Sequence, residues 1–291
     1  MNRAIPLYLL AALSGATSAA AQPSDDPPAA PSPRADTVTP EDTAETPYWQ
    51  AGKTRPFVSS TMDVGLWYFR PNLAGGWGRP HWAWGGLEVE TRFAPTGAAE
   101  YAGAKLATPY LGLRAGGRYV FTTSRTFLPH DTTYTSDELD TTTEPQARYA
   151  AIEAQLDGSV PIGPVKVFTV LTGVMIQGVP ERYHVFDETL KVVVDPPWVW
   201  RARLGAVVPI LPRDRVTLGG AGEVIGIPER FAYIGRAGPV LSVNITRHLE
   251  AQATALFVVA SPDSIGLDGA EFSQLGLRYR WATGEERPAF P

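Results

Sequence analysis

Glu271-Phe-Ser-Gln-Leu-Gly-Leu-Arg-Tyr-Arg-Trp281 decides how the rest of the chain is read. From Ser273 it alternates without a break. Ser273, Leu275, Leu277, Tyr279 and Trp281 share one parity, and Gln274, Gly276, Arg278 and Arg280 share the other. Strand side chains have period two, so one face is apolar and ends in two aromatics, while the other is polar and carries two cations. A soluble sandwich would have to bury one face and wet the other. A transmembrane barrel uses the same pattern with lipid outside and a polar interior.

Working back toward the N-terminus, the same alternation recurs. Val58, Met62, Val64, Leu66 and Tyr68 alternate with Ser59, Thr61, Asp63 and Gly65. Leu87, Val89, Thr91 and Phe93 alternate with Glu88, Glu90 and Arg92. Leu111, Leu113, Ala115, Tyr119 and Phe121 alternate with Arg114 and Arg118, and Ile152, Ala154 and Leu156 with Glu153, Gln155 and Asp157. Val165 to Ile176 is almost wholly apolar, and only Lys166 suggests its inward side. Trp198, Trp200, Ala202, Leu204 and Val208 oppose Arg201 and Arg203, and Val216, Leu218 and Val224 oppose Thr217 and Glu223. Tyr233, Ala237, Leu241 and Val243 oppose Arg236, and Leu249 to Val259 opposes His248, Glu250 and Gln252.

This reading predicts an all-β fold, an antiparallel transmembrane β-barrel of about ten strands spanning 55–281. Pro71 to His81 is read as a loop, and Ala94 to Tyr110 as a connection without an assigned element. Long polar connections at 122–146 and 178–197 follow odd strands, and mostly short turns follow even ones. Ala94 to Tyr110 is too long for its place in that scheme, and Gly226 to Glu229 too short. The scheme puts long loops on one external rim. Tyr68, Phe93, Phe121, Trp198, Trp200, Tyr279 and Trp281 cap the apolar faces, where interfacial girdles sit.

Gln274, Gly276, Tyr279 and Trp281 also resemble the C-terminal assembly signal of bacterial outer-membrane β-barrel proteins. That signal is a polar residue, a glycine two positions on, and aromatic or apolar residues at the sixth and eighth positions. The match covers Gln274 to Trp281, and Ala282 to Pro291 follow it. The resemblance implies insertion into outer-membrane lipid by the barrel-assembly machinery.

Composition agrees with an exported barrel. The chain has 291 residues, no cysteine and a formal net charge of −5. Without cysteine there are no disulfides, thiolate metal sites or cysteine nucleophiles, and mild acidity leaves no footprint for nucleic acid. Residues 1–21 read as a signal peptide, with Arg3, an apolar core from Ile5 to Leu13 and a small-residue cleavage site at Ala19-Ala20-Ala21. Residues 22–54 read as a disordered periplasmic tether rich in Pro, Ser and Asp, and 282–291 as a C-terminal tail. The expected location is the bacterial outer membrane.

The expected inward face carries Glu88, Glu90, Arg92, Arg114, Arg118, Glu153, Asp157, Arg201, Arg203, Glu223, Arg236, Glu250, Arg278 and Arg280. Charges of both signs in a narrow lumen fit a mixed ionic filling, or a small aqueous path with a charged constriction. No catalytic, cofactor or metal-binding residues are assigned. Of the four histidines, His81, His130 and His184 fall in loops expected to be external. His184 with Asp187 and Glu188, or His130 with Asp131, could form a dyad, but short spacings in polar loops more often mark solvated residues. Nucleophile-elbow, phosphate-loop and zinc spacings are absent. The expected function is therefore a structural or binding barrel, or a narrow channel, with any external ligand at loops 122–146 and 178–197. A barrel enzyme hydrolysing lipid or peptide at the rim is the first alternative. A soluble periplasmic carrier is the second, and charges on the inward face argue against it.

Overall fold

The computed structural model describes residues 53–140, 146–211, 215–272 and 275–284. The predicted signal peptide and most of the predicted tether and tail lie outside them, as does Gln274.

The described chain runs β1 (Arg55–Gly65), β2 (Phe69–Arg79), β3 (Ala83–Ala94), β4 (Gly97–Ala107), β5 (Leu111–Thr122), β6 (Leu128–Pro129), one helical turn (Ser136–Leu139), β7 (Arg148–Ile162), β8 (Val165–Gln177), β9 (Tyr183–Asp187), β10 (Val192–Val194), β11 (Trp198–Pro209), β12 (Val216–Ile227), β13 (Ala232–Asn244), β14 (Leu249–Thr254), β15 (Phe257–Ala260) and β16 (Gly276–Ala282). All wall pairings are antiparallel. β16 pairs with β1 from Ser59↔Ala282 to Gly65↔Gly276, which closes the sheet on itself. β14 and β15 are two halves of one wall strand, both paired with β13 and separated by Ala255 and Leu256. Leu256 bridges to Glu271 instead. The wall therefore has twelve strands, two more than the alternation predicted.

The extra two are β2 and β4. Pro71 and the glycines 75, 76 and 78 read as loop, yet they lie in a strand. Pro71 faces Met62 in the β1 register. Gly76 and Gly86 are opposed, and a Cβ on Gly76 would stand 2.3 Å from the Gly85 carbonyl oxygen, so these two strands approach closely because the side chains are missing. β4 is built of Gly and Ala with few large residues, so it emits almost no period-two signal. Missing an even number of strands left the direction of every later strand unchanged, and hence the rim assignment of the two long loops.

Alternation puts the apolar parity outside. Val58, Val64, Leu87, Val89, Leu113, Ile152, Leu204 and Val259 are all exposed. On β8 the parity set by Lys166 holds: Thr172, Val174 and Ile176 are buried, while Leu171 faces out. Exposed aromatics ring both ends of this belt. Phe69, Phe93, Phe121, Trp198 and Tyr233 stand at one rim, and Trp77, Tyr110 and Trp281 at the other. Phe69 stacks on Phe93 at 6.2 Å. Tyr68 departs from its expected place in the girdle. The chain turns after Gly65, and the ring swings under the guanidinium groups of Arg70 and Arg92, 5.6 and 5.7 Å from its centroid. Trp67 and Phe69 take the exposed positions instead. An apolar belt between aromatic girdles around a charged interior is the architecture of a transmembrane β-barrel.

The rims differ. One, the terminal rim, carries the start of β1, the end of β16 and tight turns. The other, the loop rim, carries three tight connections between β1 and β2, β3 and β4, and β12 and β13. It also carries three long ones between β5 and β7, β8 and β11, and β15 and β16.

Candidate functional site: a plugged lumen above a charged vestibule

The long connections do not stand out from the loop rim. β9 pairs with β10 and with β6 in a small three-stranded sheet drawn from two of them. In this sheet Val185, Phe186, Asp187, Val192, Val193 and Val194 are each no more than 1% exposed. Val185, Leu190, Val192 and Val194 pack against the inner wall residues Val120, Tyr149, Val174, Ile176, Val199, Ile225 and Ile234. Phe186 and Val193 pack the other way, against Leu128, Tyr134, Leu139 and Ile265. The connections at 122–146 and 178–197 were expected to be external loops. Their described cores are instead a plug seated in the barrel mouth.

The wall residues beneath the plug explain why it seats. They share parity with the lumen charges: Val120 with Arg118, Ile225 with Glu223, Ile234 with Arg236. Near the loop rim the inward parity turns from charged to apolar, and an apolar inner wall needs an apolar partner. Val192-Val193-Val194 is apolar on consecutive positions because both faces of β10 are covered, which is how a strand buried on two sides reads.

Polar contacts hold the plug to the wall at its lower edge. Arg118 reaches Asp187 at 2.9 Å, Glu153 at 3.1 Å and the Thr189 hydroxyl at 2.6 Å. Asp187 is fully enclosed. It also accepts from the Tyr149 hydroxyl at 3.1 Å and from the backbone N–H groups of Thr189 and Leu190. Burial pushes its carboxyl up, but the Arg118 charge and these hydrogen bonds outweigh it and hold the group below the usual carboxylate range. Arg236 donates to the carbonyl oxygens of Leu190 and Lys191 at 2.9 and 2.8 Å. Around the plug's rim Arg125 pairs with Glu188 and Asp268, and Arg230 with Asp263.

Below the plug most of the inward-facing charged residues lie in ion-paired clusters. Glu223 lies among Arg236 at 2.9 Å, Arg203 at 2.6 Å and Arg201 at 3.8 Å. Arg114 lies 2.8 Å from Glu88, 3.7 Å from Glu90 and 3.9 Å from Glu153, its guanidinium 3.6 Å from the Tyr101 ring centroid. Glu250 accepts from Arg280 and the Ser242 hydroxyl, both at 2.6 Å. Arg278 grips Asp63 through Nε and Nη2, at 2.7 and 2.9 Å, one to each carboxylate oxygen. Arg92 lies over the Tyr68 ring, which it shares with Arg70, and Asp157 accepts from the Gln155 amide at 2.8 Å. Gly276, Tyr279 and Trp281, which resemble an assembly signal in sequence, lie on the closing strand β16.

Sequence reasoning missed Asp63, Arg70, Lys105, Asp187 and Glu271 as members. Asp63 was legible, since it shares parity with Ser59 and Thr61. Arg70 and Lys105 lie on the two unrecognised strands, and Asp187 comes from a plug that alternation cannot describe.

Between these charges and the terminal rim lies a polar cavity of about 360 Å³. Asp63, Arg70, Glu88, Glu90, Lys105, Arg114, Arg278 and Arg280 line it, with His81, Trp82 and Trp84 at its mouth. The lumen is thus divided into a sealed apolar half and a charged vestibule.

Of the three histidines expected in external loops, His130 is exposed at the loop rim, and His81 and His184 lie elsewhere. His81 sits in the turn between β2 and β3, on the terminal rim, because β2 carries the chain back across the barrel. It meets the Trp281 carbonyl oxygen at 3.0 Å. His184 is 1% exposed and no solvated loop residue, since β9 is inside the plug. Asp187 and Glu188 serve Arg118 and Arg125, so neither forms a dyad with it. Its neighbours are Tyr134, Asp195 and His130.

No family model matches the chain, and no curated protein does. Among solved structures the chain is similar to the NanC porin in a rhombohedral crystal form, at 10% identity and a TM-score of 0.36, covering 78% of this chain and 98% of that one. It is also similar to OmpT, an outer membrane protein of Vibrio cholerae. The loop L8 deletion mutant is 9% identical with a TM-score of 0.36, and the in-vitro folded trimer form 8% with 0.31. Each covers 79% of this chain and 98% of its own. The barrel architecture stands on the strand pairing itself.

Proposed function

We propose that this chain is a bacterial outer-membrane barrel that rests closed, with a structural or binding role, and conducts only when its plug leaves the mouth. The observation that carries this reading is the plug, whose Val192, Val193 and Val194 are 0% exposed inside the barrel. An open porin keeps a continuous aqueous path. Here the path ends at an apolar seal, and the vestibule opens at one rim only. The signal-peptide-like N-terminus and the closing strand's assembly signal support export, handling by the barrel-assembly machinery and residence in outer-membrane lipid. With the tether on the periplasmic side, the terminal rim faces the periplasm and the loop rim the exterior. A solute entering the vestibule is small and polar, and meets carboxylates and guanidinium groups on facing walls. An external ligand would act on loops 122–146 and 178–197, whose outer surfaces cover the plug.

Planar-bilayer recording tests this. The wild-type protein is expected to be silent or to open rarely, and a chain in which a short Gly/Ser linker replaces 183–194 is expected to give stable conductance steps. Steady ohmic conductance from the wild type would overturn the closed-barrel reading.

A further inference from the structure

His184 occupies an unusual electrostatic position. Its side chain is 1% exposed, and its Nε2 has no hydrogen-bond partner. The hydrogen bonds around the other ring nitrogen determine what Nε2 carries. The Tyr134 hydroxyl lies 2.7 Å from the Pro129 carbonyl oxygen, which can only accept, so the single phenolic hydrogen goes there. The same oxygen accepts the Asp131 backbone N–H at 2.8 Å. Its 2.6 Å contact with His184 Nδ1 therefore requires Nδ1 to be the donor. In the neutral ring Nε2 is then a bare lone pair. It points at another acceptor, the Asp195 carboxylate, 3.5 Å away. Two acceptors facing each other, one on a buried ring and the other on a carboxylate 27% exposed, are unfavourable unless a proton or a metal cation lies between them.

A third ligand is at hand. The His130 ring lies 4.8 Å from that of His184, centroid to centroid. One ligand atom from each of His130, His184 and Asp195 falls within 4.8 Å of the other two. A tetrahedral first-row ion, with bonds of roughly 2.0–2.2 Å, needs its ligand atoms roughly 3.4 Å apart. The His184–Asp195 pair already meets that spacing. His130 is exposed and can rotate the remaining distance. The Tyr134–Nδ1 hydrogen bond is the outer-shell contact that fixes tautomer and ring orientation in metal-bound histidines. The nearby Arg230 charge is engaged by Asp263, at 2.7 and 2.9 Å.

We propose that His130, His184 and Asp195 form a site for a divalent first-row transition ion such as Zn²⁺, with its fourth position open to solvent. Two imidazoles and one carboxylate select such an ion over Mg²⁺ or Ca²⁺, which prefer oxygen ligands in greater number. The site joins two chain segments, since His130 follows β6 while His184 and Asp195 belong to the connection that makes β9 and β10. A bound ion would staple these segments and hold the plug seated.

The test uses the full mature chain without a histidine tag, folded in detergent, and Co²⁺ as the spectroscopic probe. One Co²⁺ per chain with tetrahedral visible absorption is expected, displaced by Zn²⁺ and not by a hundredfold excess of Mg²⁺. His130→Ala removes an exposed ligand and leaves the buried packing alone, so it isolates binding from folding. It and Asp195→Asn are each expected to weaken Co²⁺ at least tenfold. Zn²⁺ is also expected to slow protease cleavage of the plug in the wild type and not in His130→Ala. Absence of the Co²⁺ band, displacement by Mg²⁺, or an affinity that neither variant changes would overturn the proposal.

Discussion

Asp187→Ala separates the energetics of the plug from those of the barrel. The apolar plug residues that reach at most 1% exposure are Val185, Phe186, Leu190, Val192, Val193 and Val194. Burying them contributes on the order of 10–15 kcal/mol. Ordering the twelve residues from Tyr183 to Val194 costs roughly 12–24 kcal/mol in backbone entropy. Apolar burial alone therefore does not hold the plug, and the polar lock decides which state is populated. Asp187, 0% exposed, receives the Arg118 guanidinium, the Tyr149 hydroxyl and two backbone N–H groups. Removing Asp187 leaves Arg118 with Glu153 alone and strips the Tyr149 hydroxyl and two backbone N–H groups of their acceptor, which together costs about 3–5 kcal/mol. At 1.36 kcal/mol per tenfold, that multiplies the undocked-to-docked ratio by about a hundred to a few thousand. The wall strands lose nothing in their ladder, so the barrel stays folded. In planar bilayers Asp187→Ala is expected to open often where the wild type is silent, and limited proteolysis to cut between 183 and 194. Arg118→Met with Asp187→Leu removes both charges and is expected to recover most of the closure, because the buried pair goes together and Glu153 keeps Arg114 at 3.9 Å. A silent, protease-resistant Asp187→Ala protein, still heat-modifiable on gels, would refute the lock.

Val89 is 54% exposed on the outer face of β3, so Val89→Arg is expected to lower unfolding free energy by about 2–4 kcal/mol in lipid, whereas the inward Glu90→Gln changes it much less. Equal effects in denaturant titrations would reverse the facing of that strand. A Cβ on Gly276 would stand 2.1 Å from the Val64 carbonyl oxygen, while one on Gly117 would meet nothing within 4 Å. Gly276→Val is therefore expected to abolish the folded gel species and Gly117→Ala to leave its yield intact. Burial pushes the His81 imidazole down to about 4, although its bond to the Trp281 carbonyl oxygen raises it. The unfolded chain then binds a proton that the fold refuses between about pH 6.5 and pH 4, so stability falls as pH drops through that window. His81→Gln is expected to lose less stability than the wild type between pH 7 and pH 4.5, and an identical loss would remove His81 as the cause.

What the sequence disclosed follows from how each part is solvated. Lipid outside and charge inside leave a period-two record, so β3, β5, β11, β13 and β16 were legible residue by residue, and the lumen charges with them. β2 and β4 left no such record, because glycine, alanine and one proline carry little of the β-branched or aromatic signal by which strands are recognised. The plug was hidden for another reason. Leu190 to Val194 looked β-prone within a long polar connection, but sequence periodicity cannot say that a loop folds inward. The apolar residues of inward parity, Val120, Val174, Ile176, Ile225 and Ile234, were the available sign, since a purely water-filled lumen has no use for them. The His130, His184 and Asp195 cluster has no sequence spacing, because it is assembled by the pairing of β6 with β9.

The seam between β1 and β16 sets an order of events for the newly made chain. Asp63 and Arg278 are 215 residues apart, and their contact forms only when the two ends of the wall meet. Ring closure of that length is slow compared with hairpin formation. During the interval the Asp63 carboxylate would face a half-built, poorly hydrated interior alone. Arg70 prevents this. It lies on the adjoining strand, seven residues along, and pairs with the same carboxylate. The first hairpin thus carries its own counter-ion, and Arg278 arrives late, converting a neutral local pair into a shared one that bridges the seam. Arg70 functions in the finished wall as one more lumen cation. In the assembling chain it is a placeholder that keeps the inward-facing Asp63 carboxylate paired while the leading edge of the sheet stays open to the final strand.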